Sequence, residues 1–294
     1  MICVTGANGT VSSEVIRQLE AKDVPFRAAY FSGRSAEIAR ARGIEAAAID
    51  YNHPATLREA FRGCDTLFLL GPNALNQSEL ELNAVDAASA AGVRHIVKQS
   101  VMGAAEEAYS LANIHRPVEK AIERSGMAWT FLRPNSFMQN AVTFMAPTIR
   151  AESAFYSASG HARISHVDVR DIAAMAVAAL IAAGHEKKIY TLSGPEALTY
   201  DEVADELSKV LGRVIRHVSL PAADLRASML AEGMPKAIAD RMLDLERYFR
   251  EDRASTITDD VTRVTGRAPR RFADYVRDTA ATGVWKADVA PAVR

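Results

Sequence analysis

The chain has 294 residues, a formal net charge of −1 and 49% apolar residues. This near-neutral charge excludes the strongly basic surface by which proteins bind nucleic acid or anionic membranes. No apolar run is long enough to cross a bilayer, and the first residues, MICVTG, lack the basic and apolar regions of a signal peptide. We therefore expect a cytoplasmic protein with neither nucleic acid nor membrane as a partner.

Short apolar runs alternate with longer amphipathic segments through the first half of the chain, which is typical of βαβ units. Strands are predicted at 2–5, 26–31, 45–49, 66–70, 95–100 and 129–132. Helices are predicted at 13–21, 36–42, 55–61, 79–91 and 118–125. The pattern predicts an α/β fold, with a doubly wound parallel sheet of the Rossmann type over residues 1–135.

The second half, residues 136–294, is less regular and is expected to form a smaller C-terminal α/β lobe. Strands are predicted at 163–167, 189–192 and 214–220, and helices at 171–182, 199–211, 222–232, 235–251 and 270–281. Thr199 and Glu202 have the spacing of a capping box. Parts of 163–195 are expected to fold back onto the first sheet, and 287–294 is expected to be a loose tail.

The stretch VTGANGTVSSEV follows the first strand and opens the first helix, which is the context that a dinucleotide-binding fingerprint requires. Gly6 permits a tight turn, and Gly9 lets the backbone approach a pyrophosphate. Ser12 is a small residue at the position of the third glycine. A tight turn without a cofactor is the alternative. The cofactor contacts predicted in this loop are Gly6, Asn8, Gly9, Thr10 and Val11.

The end of the second strand carries no acidic residue to hold the ribose of NAD, and Arg34 follows just beyond it. This favours NADP(H) and leaves NAD(H) open. Asp50 is placed either to accept a hydrogen bond from adenine or to cap the next helix. Further cofactor contacts are predicted by their position near strand ends: Phe31, Tyr51, Leu70, Gly71, Pro72, Gln99 and Ser100.

Several stretches together resemble the NmrA-like family, an atypical branch of the short-chain dehydrogenases/reductases. They are VTGANGTVSSEVIRQL, GPNALNQSELELNAVDAASAAGVRHIVKQSVMGA, HRPVEKAIERSGMAWTFLRPNSFMQN, HVDVRDIAAMA and YTLSGPEALTYDEVADELSKVLGR. The resemblance runs from about Ile2 to Ala280. It implies an NAD(P)-binding domain with a C-terminal substrate lobe. The family includes NADPH-dependent quinone reductases, triphenylmethane-dye reductases and redox sensors that bind cofactor without turnover, and SLANIHRPVEKAI is most similar to the two reductase groups.

The wider superfamily protonates its substrate with a tyrosine that stands four residues before a lysine. Tyr109 lies in the expected region but has Asn113 at that spacing, and no other tyrosine has a lysine there. His115 and Glu119 are therefore the candidate catalytic residues, with a helix-start ion pair or cap as the alternative. Pro117 fits only the first turn of a helix, which predicts that His115 lies just before that helix.

The segment LRPNSFMQN ends the sixth strand, because Pro134 forces a break. By the resemblance this loop flanks the nicotinamide, so Asn135 and Ser136 are predicted cofactor contacts. Phe137, Met138 and Tyr156 are predicted to contact substrate. A structured loop with a core phenylalanine is the alternative.

Together with the missing tyrosine–lysine pair, the resemblance implies an NAD(P)H-dependent oxidoreductase that passes hydride to a quinone or a similar flat conjugated acceptor. A non-catalytic NADP(H)-binding redox sensor and a tailoring enzyme for an aromatic polyketide are the alternatives. No zinc-site spacing is present, so no metal is expected. Cys3 and Cys64 are expected to be buried free thiols, and the sequence leaves a homodimer open.

Overall fold

A computed structural model describes residues 1–286, so the predicted tail at 287–294 lies outside the described residues. The chain forms two compact units. The first comprises Met1–Pro134, Val169–Leu192 and Asp260–Gly266. The second comprises Asn135–Asp168, Ser193–Asp259 and the chain from Arg267 onward.

The strands of the first unit form a seven-stranded sheet in which every neighbouring pair is parallel. They are β1 (Ile2–Val4), β2 (Phe26–Tyr30), β3 (Ala46–Ala48), β4 (Thr66–Leu69), β5 (His95–Gln99), β6 (Ala128–Pro134) and β8 (Lys188–Leu192). Their order is β3-β2-β1-β4-β5-β6-β8, so the direction of winding reverses between β1 and β4. This is the predicted doubly wound sheet, whose ligands bind where the winding reverses, outside the carboxyl ends of the strands.

Seven helices of the first unit connect and flank these strands. They are α1 (Thr10–Glu20), α2 (Gly33–Ala41), α3 (Pro54–Phe61), α4 (Gln77–Ala90), α5 (Ser110–Arg124), α7 (Val169–Ile181) and α11 (Asp260–Thr265). Leu67, Phe68 and Leu69 of β4 are fully buried, as a central strand covered on both faces requires. Cys3 and Cys64 are buried free thiols, as predicted.

Helix α5 begins at Ser110, so the prediction that it starts near residue 118 was wrong. Pro117 lies inside the helix, where it removes one backbone hydrogen bond to the preceding turn. The helix tolerates this loss because its buried residues, Ala112, His115, Val118, Glu119 and Ile122, recur at helical spacing on one face. His115 therefore lies within the helix rather than before it.

Up to residue 286, the second unit contains two strands, β7 (Ala154–Ser157) and β9 (Arg216–Ser219), which pair in parallel. A π-helical turn, Ala141–Met145, leads directly into α6 (Ala146–Glu152). The remaining helices of this unit are α8 (Tyr200–Leu211), α9 (Ala222–Ala231), α10 (Lys236–Arg250) and α12 (Phe272–Ala280). The predicted capping box at Thr199 and Glu202 is present at the start of α8.

The prediction of a strand at 163–167 was wrong. Two residues of this segment form isolated bridges to two different partners: Ile164 pairs with Leu198 and Val167 with Phe137. The amide of Ser165, between them, donates to the carbonyl of Ala254. Because successive residues use different partners, no ladder can propagate, although the segment is as buried as a core strand.

No helix within residues 1–286 is long and apolar enough to span a membrane. The same residues contain no cluster of three or more histidine, cysteine, aspartate or glutamate side chains placed to hold a metal ion.

Candidate functional site

The loop between β1 and α1 leaves little space for a side chain at its two glycines. Gly6 has a φ of +63°, and a Cβ at this position would lie 3.0 Å from the carbonyl oxygen of Leu70. A Cβ at Gly9 would lie 3.1 Å from the carbonyl oxygen of Gly6, which accepts the Gly9 amide at 2.7 Å. The turn is therefore tight at both glycines, and their lack of a Cβ allows a ligand to approach the backbone closely at these two positions.

The N-terminus of α1 is suited to an anion. Gly9 is its N-cap residue, no side chain caps the helix, and no acidic residue lies in its first turn. The first backbone N–H groups and the positive end of the helix dipole are thus left for a phosphate. Ser12 is fully buried one turn into the helix, which its small side chain permits.

The end of β2 and the start of α2 carry the residues predicted to contact the adenosine. Phe31 is 73% exposed, and Arg34 is exposed in the first turn of α2. Ser32 caps this helix through the amide of Ser35, whose hydroxyl accepts a 3.1 Å hydrogen bond from Asn8. This hydrogen bond links the glycine loop to the start of α2. A ribose 2′-phosphate bound at the start of α2 would lie next to the guanidinium of Arg34.

Asp50 and Tyr51 stabilise the loops around this edge of the sheet. The Asn52 amide and the His53 ring donate hydrogen bonds to Asp50 and lower the pKa of its carboxyl, so Asp50 supports the turn before α3. The hydroxyl of buried Tyr51 donates to the carbonyl of Leu70 at 3.0 Å. This hydrogen bond fixes the carbonyl of Leu70, which lies next to Gly6.

Two features after β4 and β5 also fit a dinucleotide. The amide of Gly71 donates to Oε1 of Glu81 at 2.8 Å, and a Cβ on Gly71 would lie 2.5 Å from the Glu81 Cγ. Gln99 is buried, and its Oε1 has no hydrogen-bond partner among residues 1–286. A buried acceptor without a partner is costly, and the amide group of a nicotinamide is a donor that would satisfy it.

A buried acid–lysine–histidine chain, defined here as Glu81, Lys98 and His115, lies next to these strand ends. Glu81 and Lys98 are fully buried, and His115 is 6% exposed. Nζ of Lys98 lies 3.0 Å from Oε2 of Glu81 and 3.1 Å from Nδ1 of His115. Nζ also donates to the carbonyl oxygen of Gln99. The chain connects α4, β5 and α5.

Glu119 faces different partners, although it shares the buried face of α5 with His115. Arg133 donates to both of its carboxylate oxygens, at 3.0 and 2.7 Å, and Arg116 donates at 3.0 Å. Burial acts to raise the pKa of Glu119, but the hydrogen bonds, chiefly from Arg133, outweigh it and lower the pKa. As an ionised carboxylate, Glu119 has no proton to donate. His115 is therefore the candidate proton donor of the two residues.

Asn135 and Ser136 belong to the second unit, where their polar groups serve the protein itself. Both hydrogens of Asn135 Nδ2 are used, by the Ser165 hydroxyl at 2.8 Å and the Ala254 carbonyl at 2.7 Å. Its Oδ1 accepts the amide of Ser136 at 2.9 Å. A hydrogen bond to nicotinamide would have to compete with these contacts.

Phe137 and Met138 line a cavity of about 10 Å³ in the second unit, just large enough for one water molecule. His166 also lines it, and burial lowers the pKa of this histidine to about 4. Tyr156 is not part of this cavity. It is partly exposed on β7 and donates to the Glu152 carboxylate at 2.5 Å. The complete lining is Phe137, Met138, Asn140, Ala141, Met145, His166, Tyr200, Val203 and Phe272.

The glycine turn, the uncapped α1 and the parallel sheet define a dinucleotide-binding α/β protein. The profile of the NmrA-like family matches residues 1–276, and the chain belongs to that family. It is 38% identical over 284 residues to an NAD(P)H azoreductase of Xenophilus azovorans, covering 96% of this chain and 98% of that protein.

Two solved structures are similar over nearly the whole chain. An NADPH-dependent quinone oxidoreductase of Escherichia coli complexed with NADPH superposes with a TM-score of 0.88 at 29% identity, covering 95% of this chain and 100% of that one. The triphenylmethane reductase of Citrobacter sp. complexed with NADP(H) superposes with a TM-score of 0.85 at 27% identity, covering 94% and 99%. Both relatives are reductases with an NADP-type cofactor in their structures.

Glu81, Lys98 and Arg133 are not among the residues predicted from the sequence. One signal for Lys98 was available, because HIVKQ places a lysine in the middle of a predicted central strand, where a charge needs a buried partner. Arg133 stands near the end of the sixth strand in the same way. Nothing in the sequence indicated which acid would pair with either residue.

Proposed function

We propose that this protein is an NAD(P)H-dependent reductase of quinones and similar flat conjugated acceptors, with NADP(H) as the preferred cofactor. The observation that carries the proposal is the Gly6–Gly9 turn at the head of the uncapped helix α1. A tight turn with glycine at both ends, followed by the first N–H groups of an uncapped helix, is suited to receive a pyrophosphate. The azoreductase, quinone and dye reductase relatives support the acceptor class.

The remaining residues of the cofactor site follow from their positions. Gly6, Asn8, Gly9, Thr10 and Val11 would hold the pyrophosphate, and Arg34 would pair with a 2′-phosphate. Gln99 would accept from the carboxamide. When bound, the reduced nicotinamide supplies the hydride. The chain contributes orientation of a flat acceptor, which can account for much of the rate acceleration with an acceptor that takes hydride readily.

His115 is the proposed proton donor, since a quinone that has taken hydride needs a proton on oxygen. Phe137, Met138 and Tyr156 remain proposals as substrate contacts. The second unit is proposed to bind substrate. A cytoplasmic location and a homodimer remain predictions that rest on the sequence.

The proposal is tested by following the absorbance of NADPH with purified protein and a panel of quinones, cationic dyes and azo compounds, with NADH in parallel. We expect oxidation that depends on the acceptor and is faster with NADPH. Tight binding of NADPH without oxidation of any acceptor would contradict the proposal and favour a redox sensor.

A matched pair of variants tests the cofactor site by itself. In Gly9→Leu the new side chain fills the turn, so we expect NADPH binding to be lost in a fluorescence titration. Ala183→Leu is the control, because it adds the same side chain at an exposed position outside this turn. Wild-type affinity in Gly9→Leu would refute the assignment of this turn to phosphate.

A further inference from the structure

The buried acid–lysine–histidine chain has an unusual composition for a protein core. An isolated buried ion pair costs desolvation energy that its attraction barely repays, and replacement by apolar residues is often neutral. Here Lys98 makes a third contact that an ion pair does not need: its Nζ lies 3.1 Å from Nδ1 of His115. Glu81 balances the ammonium charge at 3.0 Å, which allows a full charge to remain beside the histidine.

The direction of the Lys98–His115 hydrogen bond follows from chemistry. An ammonium has three donors and no acceptor, so Nδ1 of His115 must accept. A neutral imidazole that accepts at Nδ1 carries its single proton on Nε2. Lys98 therefore selects one tautomer of His115, the one whose Nε2–H can donate.

We propose that Lys98, held by Glu81, is a positioning residue that fixes His115 as an Nε2–H donor and replaces the proton that His115 gives to a reduced acceptor. This inference rests on the proposed function, because it assigns the proton that quinone reduction consumes. It concerns only residues of the first unit.

The proton transfer balances without any further reactant. Hydride reduction of a quinone leaves an anionic oxygen. As that oxygen takes the proton from Nε2 of His115, one N–H bond of the Lys98 ammonium breaks and its proton bonds to Nδ1. His115 ends neutral as the Nδ1–H tautomer, Lys98 ends as a neutral amine, and the acceptor ends as a neutral hydroquinone. After product leaves, water protonates Nε2, and the Nδ1 proton returns to Lys98.

The choice of acceptor separates a role in proton delivery from a role in folding. A quinone needs hydride and a proton, whereas a cationic triphenylmethane dye becomes neutral on taking hydride alone. The test variant is Lys98→Met combined with Glu81→Gln, which removes both charges and leaves neither buried alone. We expect its kcat with 1,4-naphthoquinone to fall at least tenfold, and its kcat with malachite green to fall less than threefold.

The control is Lys209→Met combined with Glu206→Gln, which removes a surface ion pair with Nζ and Oε1 2.8 Å apart. We expect wild-type rates with both acceptors. Equal losses with quinone and dye in the Lys98 variant would show a structural role and overturn the proposal. An unchanged quinone rate would also overturn it.

A second measurement does not depend on turnover. In ¹⁵N-labelled protein, NMR distinguishes the two tautomers of a histidine, and the signal of His115 is identified as the one missing from His115→Gln. We expect a protonated Nε2 and a bare Nδ1 in the wild type, and a loss of this preference in the Lys98 variant. A Nδ1–H or doubly protonated ring in the wild type would overturn the proposal.

The two measurements separate failure of this inference from failure of the proposed function. If the wild type reduces neither acceptor while His115 has the expected tautomer, the reductase function and the relay are refuted, and only the positioning of His115 by Lys98 is supported.

Discussion

The backbone amide of Gly71 donates a 2.8 Å hydrogen bond to the Glu81 carboxylate, and a Cβ on Gly71 would lie only 2.5 Å from the Glu81 Cγ. The Gly71 loop and the buried acid–lysine–histidine chain are thus joined at one carboxylate. The loop that follows β4 cannot move without moving the partner of Lys98.

Gly71→Ala tests this close approach. The added methyl group must push Glu81 aside, and overpacking of a core typically costs about 1–3 kcal/mol. We expect a lower free energy of unfolding in urea and at least a tenfold weaker affinity for NADPH. Ser89→Thr is the control, since it adds a methyl group at an exposed position of α4, the helix that also carries Glu81. Unfolding and affinity equal to the wild type would contradict the contact.

Arg34→Gln tests the preference for NADP(H). A hydrogen bond between charged groups is worth about 1.5–3 kcal/mol, so loss of the guanidinium should weaken NADPH binding roughly 10- to 100-fold. The affinity for NADH should change little. Arg42→Gln, at the other end of the same helix, serves as the control. Equal weakening for both nucleotides, measured by titration, would count against Arg34 as the 2′-phosphate contact.

Thr199→Ala tests the capping box of α8. The Thr199 hydroxyl accepts the Glu202 amide at 3.1 Å, and Glu202 Oε2 accepts the Thr199 amide at 2.8 Å. Removal of the hydroxyl should lower the free energy of unfolding by about 1 kcal/mol, whereas Thr199→Ser should restore most of it. A denaturant titration of the wild type and the two variants measures these differences. A serine variant as unstable as the alanine variant would contradict the capping role.

His166 predicts a specific dependence of stability on pH. Burial lowers the pKa of His166 to about 4 in the folded protein, and neither ring nitrogen has a hydrogen-bond partner within residues 1–286. The unfolded chain titrates at about 6.5, so between these values it binds a proton that the folded chain does not. The free energy of unfolding contributed by His166 therefore falls as the pH is lowered, by about 2 kcal/mol between pH 7 and 5.

His166→Phe removes this titration while preserving a ring in the core. Urea unfolding at pH 7 and pH 5 should show a smaller loss of stability in the variant than in the wild type, by about 2 kcal/mol. His161→Gln, which alters a side chain that is 90% exposed, should retain the dependence of the wild type. The same loss in all three proteins would contradict neutral burial of His166.

The sequence was sufficient to predict the parallel sheet, because alternating strands and helices leave few other solutions and each strand carries its own apolar run. The predicted bounds of helices and strands were wrong where packing between distant segments determines the local structure. The sequence predicts Pro117 in the first turn of a helix, yet it lies inside α5. His115 and Glu119 lie four residues apart on the buried face of this helix, and the packing of that face stabilises the helix across Pro117. Residues 164–167 are buried without forming a ladder, because their backbone partners come from different segments, and the sequence does not indicate those partners.

The site was predictable where it depends on local backbone geometry and not where it depends on distant partners. Gly6 and Gly9 are required by a turn of a few residues, so their spacing indicated their function. Lys98 takes its role from Glu81 and His115, each 17 residues away in sequence. Such a juxtaposition is created by the fold, and only the structure shows that His115 and Glu119 have separate partners.

Direct hydride transfer is the central claim of this account, and isotope transfer from NADPH tests it most directly. The protein is incubated without air with malachite green and NADPH that carries deuterium on the transferring face of C4, and the reduced dye is analysed by mass spectrometry. The account predicts one deuterium on the central carbon of the dye. Reduced dye without deuterium, or no reduction of dye, quinone or azo compound at all, would contradict it.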